Sequence, residues 1–258
     1  MTRSARPLAF VVALVLVLGL LGLVVVDEPR ATRLLAVALA TEAKGSARIT
    51  MTVSLGRSDP LNRIEGTVDL RAERARAAIR AEHLGGPIEL LADGPVTYLG
   101  TASLPHFRLT AAGKPWVVVR SVTVSTGPGL GTDLLGGDGN PVRWLRLLRN
   151  GRVTGEAREH GTADVRGEPT TRYIGDADVA ELLLAIGSGQ ARALVDIARH
   201  RRATGEVEAW VGGDGALRRL VVRVRGSGFG TTVTIELHDF GVPVDIVPPP
   251  PDQVHSLG

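Results

Sequence analysis

Val165-Arg166-Gly167-Glu168-Pro169-Thr170-Thr171-Arg172-Tyr173 and, further along, Val207-Glu208-Ala209-Trp210-Val211-Gly212-Gly213-Asp214-Gly215-Ala216-Leu217-Arg218-Arg219-Leu220 decide how this chain is read. Both are strand patterns interrupted by turn residues, and Gly212-Gly213-Asp214-Gly215 reads as the turn of a hairpin. Neither holds side chains arranged for catalysis. Both read as strands of a broad, open sheet.

Working outward, the same period recurs. Ala47-Arg48-Ile49-Thr50-Met51-Thr52-Val53-Ser54 alternates apolar and polar residues strictly, as do the stretches 64–71 and 74–80. Period two sets one face of each strand toward a core and the other toward water. Further strands are predicted over 87–92, 96–100, 151–159, 162–166, 170–176, 206–211, 217–225 and 231–239, with short returns at Ala72-Glu73 and Asp93-Gly94. Helices are predicted over 31–43, stopped by Gly45, and from Asn140 as N-cap with Pro141 at the first helical position. Two more are predicted, one after Asp178-Val179-Ala180-Glu181 and one over 191–202, and 127–140 reads as a glycine-rich surface loop. The fold class is α+β: a curved antiparallel sheet, a half-barrel of about ten strands, with helices packed on its concave side. Such an arrangement leaves an apolar cleft between sheet and helices, a common place for a ligand.

Composition narrows the function. The 258 residues contain no cysteine, which excludes disulfides, thiolate catalysis and cysteine-based zinc sites. Positive charge is almost all arginine, since Lys44 and Lys114 are the only lysines. The pI near 9.9 suits anionic headgroups. Nucleic acid is not expected as a partner, because aromatics are 3% and the arginines are interspersed with acids.

Arg3 and Arg6 precede an apolar run over 7–26, about 20 residues and enough to span a bilayer. Basic residues on that side place it in the cytoplasm, with Asp27 and Glu28 outside. Only Ala31 suits a cleavage site, and Pro29 sits poorly at its partner position. Residues 1–31 are therefore expected to be a cytoplasmic n-region and transmembrane signal anchor, and 32–258 an extracytoplasmic domain on a single-pass membrane protein. Cleavage would make that domain secreted.

No enzyme is expected. Gly187-Ser188-Gly189 and Gly226-Ser227-Gly228 lack the spacing of a nucleophile elbow. The six histidines are scattered, and His200 lies among Arg199, Arg201 and Arg202. Gly127-Pro128-Gly129-Leu130-Gly131 lacks the lysine of a phosphate loop, and Asp138-Gly139-Asn140 lacks the bidentate acid of a calcium loop. Glu206 and Glu208 share a strand face flanked by arginines and are expected in cross-strand salt bridges. No catalytic residue, cofactor or metal is assigned. Arg143, Arg146 and Arg149 are a solvated helix face or contacts for anionic headgroups.

Several segments carry a family likeness. Gly167-Glu168-Pro169-Thr170-Thr171-Arg172-Tyr173, the hairpin from Val207 to Leu220, the closing run from Thr232 to Val244 with Pro248-Pro249, and Gly113-Lys114-Pro115-Trp116 together resemble the mycobacterial lipoprotein family of LppX, LprA, LprF and LprG. The resemblance spans roughly 32–255 and implies the fold of LolA/LolB-type lipid carriers. It implies binding of an acylated lipid or lipoglycan in an apolar cavity, and its transfer or localisation in the envelope. Members carry a lipobox cysteine, which this chain lacks, so it departs from lipoprotein status. On that reading Ile49, Met51, Val53, Ile64, Val68, Leu70 and Ile79 are the candidate cavity-lining residues. The alternative is a non-transporting envelope sensor or interaction module that binds a regulatory membrane protein.

Overall fold

The computed structural model describes residues 31–55, 60, 62–81, 86–102, 113–119, 140–149, 157–180, 182 and 202–256. The anchor expected before residue 31, the loop over 127–139, the strand start at 151–156 and nearly all of the helix expected over 191–202 lie outside them. Among the described residues no helix is long and apolar enough to cross a membrane.

Helix α1 (Ala31–Ala43) leads into a meander of β1 (Ser46–Leu55), β2 (Asn62–Asp69), β3 (Arg74–Ala81), β4 (Ile88–Asp93), β5 (Val96–Gly100) and β6 (Trp116–Val119). A 3-10 turn over Pro141–Leu145 runs into the short helix α2 (Arg146–Arg149). A second meander follows: β7 (Arg158–Val165), β8 (Glu168–Ala177), β9 (Thr204–Gly212), β10 (Leu217–Gly226) and β11 (Phe229–His238). A 3-10 turn over Pro251–Gln253 then leads to β12 (Val254–Ser256). The twelve described strands form one sheet in the order β12-β6-β5-β4-β3-β2-β1-β11-β10-β9-β8-β7. It is curved and unclosed.

This is the expected architecture with two amendments at its edges. The sheet has twelve strands where about ten are predicted, because β6 and β12 carry no alternation to announce them. Their pairing, Val254 beside Trp116, is parallel, so the sheet is mixed at that end. The breaks predicted within 151–166 are also wrong: β7 passes through Gly161, at φ 88, as a bulge between Glu159 and Thr162.

Register explains the core. One inner row crosses eight strands, Ile88-Ile79-Ile64-Met51-Ile235-Leu220-Ala209-Tyr173. The adjacent outer row reads Glu89-Ala78-Glu65-Thr50-Glu236-Arg219-Trp210-Arg172. β3 approaches β2 closely at Gly66, an inner position of β2. A Cβ there would lie 2.1 Å from the Arg76 carbonyl oxygen and 2.5 Å from Ala77 Cα, so the neighbouring strand occupies the place of a side chain.

The helix α1 is fastened to the far half of the sheet. Leu34, Val37 and Ala38 join the core. A bulge between Leu217 and Arg219 takes the Leu217 N–H out of the strand ladder. Thr41 Oγ1 accepts from that N–H at 2.9 Å and donates to the Val37 carbonyl at 2.6 Å. Lys44 reaches Asp214 at 2.7 Å, beside Arg218 at 3.0 Å.

Candidate functional site

All seven predicted lining residues lie on the inner face and are brought together. Val68 stands opposite Ala47, Ile49 opposite Gly66, Met51 opposite Ile64, Val53 opposite Asn62, and Ile64 opposite Ile79. Leu70 closes the end of β2, its N–H donating to the Gly45 carbonyl at 2.8 Å. All seven are buried, with 0% to 5% of each exposed. They form one apolar cluster with Leu34 and Val37 of α1 and with Trp144, Leu147 and Leu148. The candidate set stops at β3, but the same face continues through Val233, Ile235, Leu237, Leu220 and Val222. The alternation of β10 and β11 carried that signal.

The segment containing Trp144 is strapped over the sheet from one end. Asn140 caps it, its Oδ1 accepting from the Val142 N–H at 3.0 Å. Its Nδ2 donates to the carbonyls of Glu73 and Gly94, at 2.8 and 3.0 Å, in the β2–β3 and β4–β5 turns. Arg146 pairs with Glu73, and Arg149 with Glu42 of α1. Two of the three arginines considered for headgroups therefore hold the helices in place. Burial, and then the Arg146 charge, lower the pKa of the third, Arg143. Trp144 is 2% exposed, yet among the described residues its indole Nε1 has no hydrogen-bond partner. A buried donor in that state costs about 1–3 kcal/mol.

The outer face is a lattice of ion pairs. Glu206 pairs with Arg223 at 2.7 Å, and Glu208 with Arg172 at 2.8 Å and with Arg223, which are the cross-strand bridges the alternation predicts. Trp210 lies between Arg172 and Arg219, 5.3 and 5.4 Å from its ring. Glu236 binds Arg219 at 2.7 Å and Arg166 at 2.8 Å. Burial works to raise the Glu236 carboxyl, but bonds from these two arginines outweigh it and hold it below its ordinary range. An open groove of about 570 Å³ is lined by Glu65, Arg76, Ala78, Glu89, Gly100 and Trp116 among others. Its carboxylates are engaged by Arg63 and Arg76. Among the described residues no three acidic or histidine side chains gather to hold a metal.

The architecture is an open curved sheet with helices packed against its inner face, a fold of which LppX is a solved example. The crystal structure of Mycobacterium tuberculosis lipoprotein LppX is similar at a TM-score of 0.50 and 12% identity, over 86% of this chain and 100% of LppX. LprF from Mycobacterium bovis is similar at 0.48 and 15% identity, over 85% of this chain and 96% of LprF. The Pseudomonas aeruginosa MucA/MucB complex matches at 0.38 and 11% identity, over 87% of this chain and 59% of the matched one. The fold is thus the one the sequence resemblance implies. No family model and no curated protein matches the sequence.

Proposed function

We propose that this protein binds an acylated lipid or lipoglycan against the inner face of its sheet and assists its transfer or localisation in the cell envelope. The N-terminal segment holds it at the membrane, with residues 32–258 outside the cytoplasm. Its work is binding and not catalysis. One observation carries the reading: an apolar row runs without interruption across eight strands of a sheet that never closes. The LppX-like fold supports it.

The energetics suit exchange. Burying a methylene gains about 0.8 kcal/mol, so a sixteen-carbon chain gains roughly 13 kcal/mol against water. Leaving a bilayer gives almost none of that gain, since its interior is equally apolar. Transfer between membrane and protein is then close to balanced. The inner residues are already buried, so a lipid must part them from α1 and α2 and replace contacts that side chains make.

The test is photo-crosslinking of the full chain in membranes containing an acyl lipid with a photoactivatable tail. Crosslinks are expected on peptides covering 47–81 and 217–237. Crosslinks confined to the N-terminal segment or to outer-face side chains would sink the proposal. The close packing of the inner face favours a second reading, a non-transporting module that docks a regulatory membrane protein. Capture of one specific envelope protein by a chain that takes no lipid would put that reading first.

A further inference from the structure

We propose that the Trp144 indole N–H is the polar anchor of the ligand site, donating to the ester carbonyl at the head of an O-acylated lipid. The inference rests on the lipid-binding reading and adds to it the ligand's linkage chemistry. Among the described residues, two other buried polar side chains of the interior are engaged. Thr41 serves Val37 and Leu217, and Asn140 serves two turns and its own helix. Among the described residues the Trp144 Nε1 is a buried side-chain donor with no acceptor, on a side chain whose other atoms are apolar. Phenylalanine would fill most of the same space without a donor, so packing does not account for the indole nitrogen.

Position supports the assignment. The turn carrying Trp144 is tied by Asn140 to the β2–β3 and β4–β5 turns, at one end of the strands. Apolar side chains of the inner face extend from there, among them Ile64, Ile79 and Leu90. An acyl chain laid along that face places its carbonyl at one end and its methylenes over the strands. A neutral ester is the acceptor that fits, because burying it costs far less than burying a free carboxylate.

The experiment compares two lipids of identical chains, one ester-linked and one ether-linked, on the full chain in nanodiscs, for the native protein and for Trp144→Phe. The native protein is expected to prefer the ester by about five- to thirtyfold. Trp144→Phe is expected to keep the native affinity for the ether lipid and lose the preference. Equal affinities for both lipids in the native protein overturn the anchor and leave lipid binding standing. Binding of neither lipid overturns both. Should Trp144→Phe fail to fold, the native protein labelled with ¹⁵N-tryptophan decides. The Trp144 indole resonance, assigned through Trp116→Phe and Trp210→Phe, must shift downfield with the ester and not with the ether. A resonance that does not discriminate them overturns the proposal.

Discussion

A single hydroxyl, Thr41 Oγ1, joins the first helix to the second meander. It satisfies the N–H that the β10 bulge leaves over, in a position with no access to water. Thr41→Val keeps the shape and removes the acceptor, so about 1–3 kcal/mol of stability should be lost. Thr41→Ser should retain most of it, and urea unfolding of the two variants measures the difference. The seven inward residues from Ile49 to Ile79 were legible because alternation is a local property of the chain. The task of Thr41 was not, since its partner lies 176 residues away. For Trp144 the apolar stripe was legible, while the unpaired nitrogen depends on everything packed around it.

Among the elements, the turn and helix from Pro141 to Arg149 combine a readable start with an unreadable purpose. Asn140-Pro141 announces a helix start, and the cap is present. Nothing local tells that the same asparagine also binds two distant turns. Asn140→Ala should cost about 2 kcal/mol, a cap at about 1 kcal/mol plus two part-buried carbonyls left without that donor. Asn140→Asp keeps the cap acceptor and loses the donors, so chemical unfolding should place it between Ala and the native residue. The strands the sequence left unread share one cause. β6 is the four residues Trp-Val-Val-Val with no period, and β12 is three residues whose partner lies far back in the chain. Short strands of that kind exist only through their neighbours.

For the whole molecule, two meanders meet at one antiparallel seam between β1 and β11. Ion pairs at and near this seam make its stability sensitive to acid. Burial tends to raise the Asp214 carboxyl, but hydrogen bonds from Lys44, Arg218 and the Ala216 N–H hold it well below the usual carboxylate range. Glu236 is depressed in the same sense by Arg219 and Arg166. A depressed carboxyl adds stability above its unfolded value, near 4, and that stability is lost as pH falls through the folded value. The urea midpoint should therefore hold from about pH 7 to 5 and decline below about pH 4. Asp214→Asn should lower the midpoint at neutral pH and make the acid decline shallower. A decline as steep as the native one would show that this carboxylate adds nothing.

The seam also dictates an order of assembly. Each meander can grow by adding the next strand to the last, but β1 waits for β11, which begins only at Phe229. Ribosomal synthesis delivers β1 to β6 long before its partner exists. Until then the backbone donors and acceptors along one side of Ile49, Met51 and Val53 stand open to any other extended chain. An unfinished copy of this protein is thus a half-sheet with an adhesive border, and completing its last long strand is what makes it safe in a crowd.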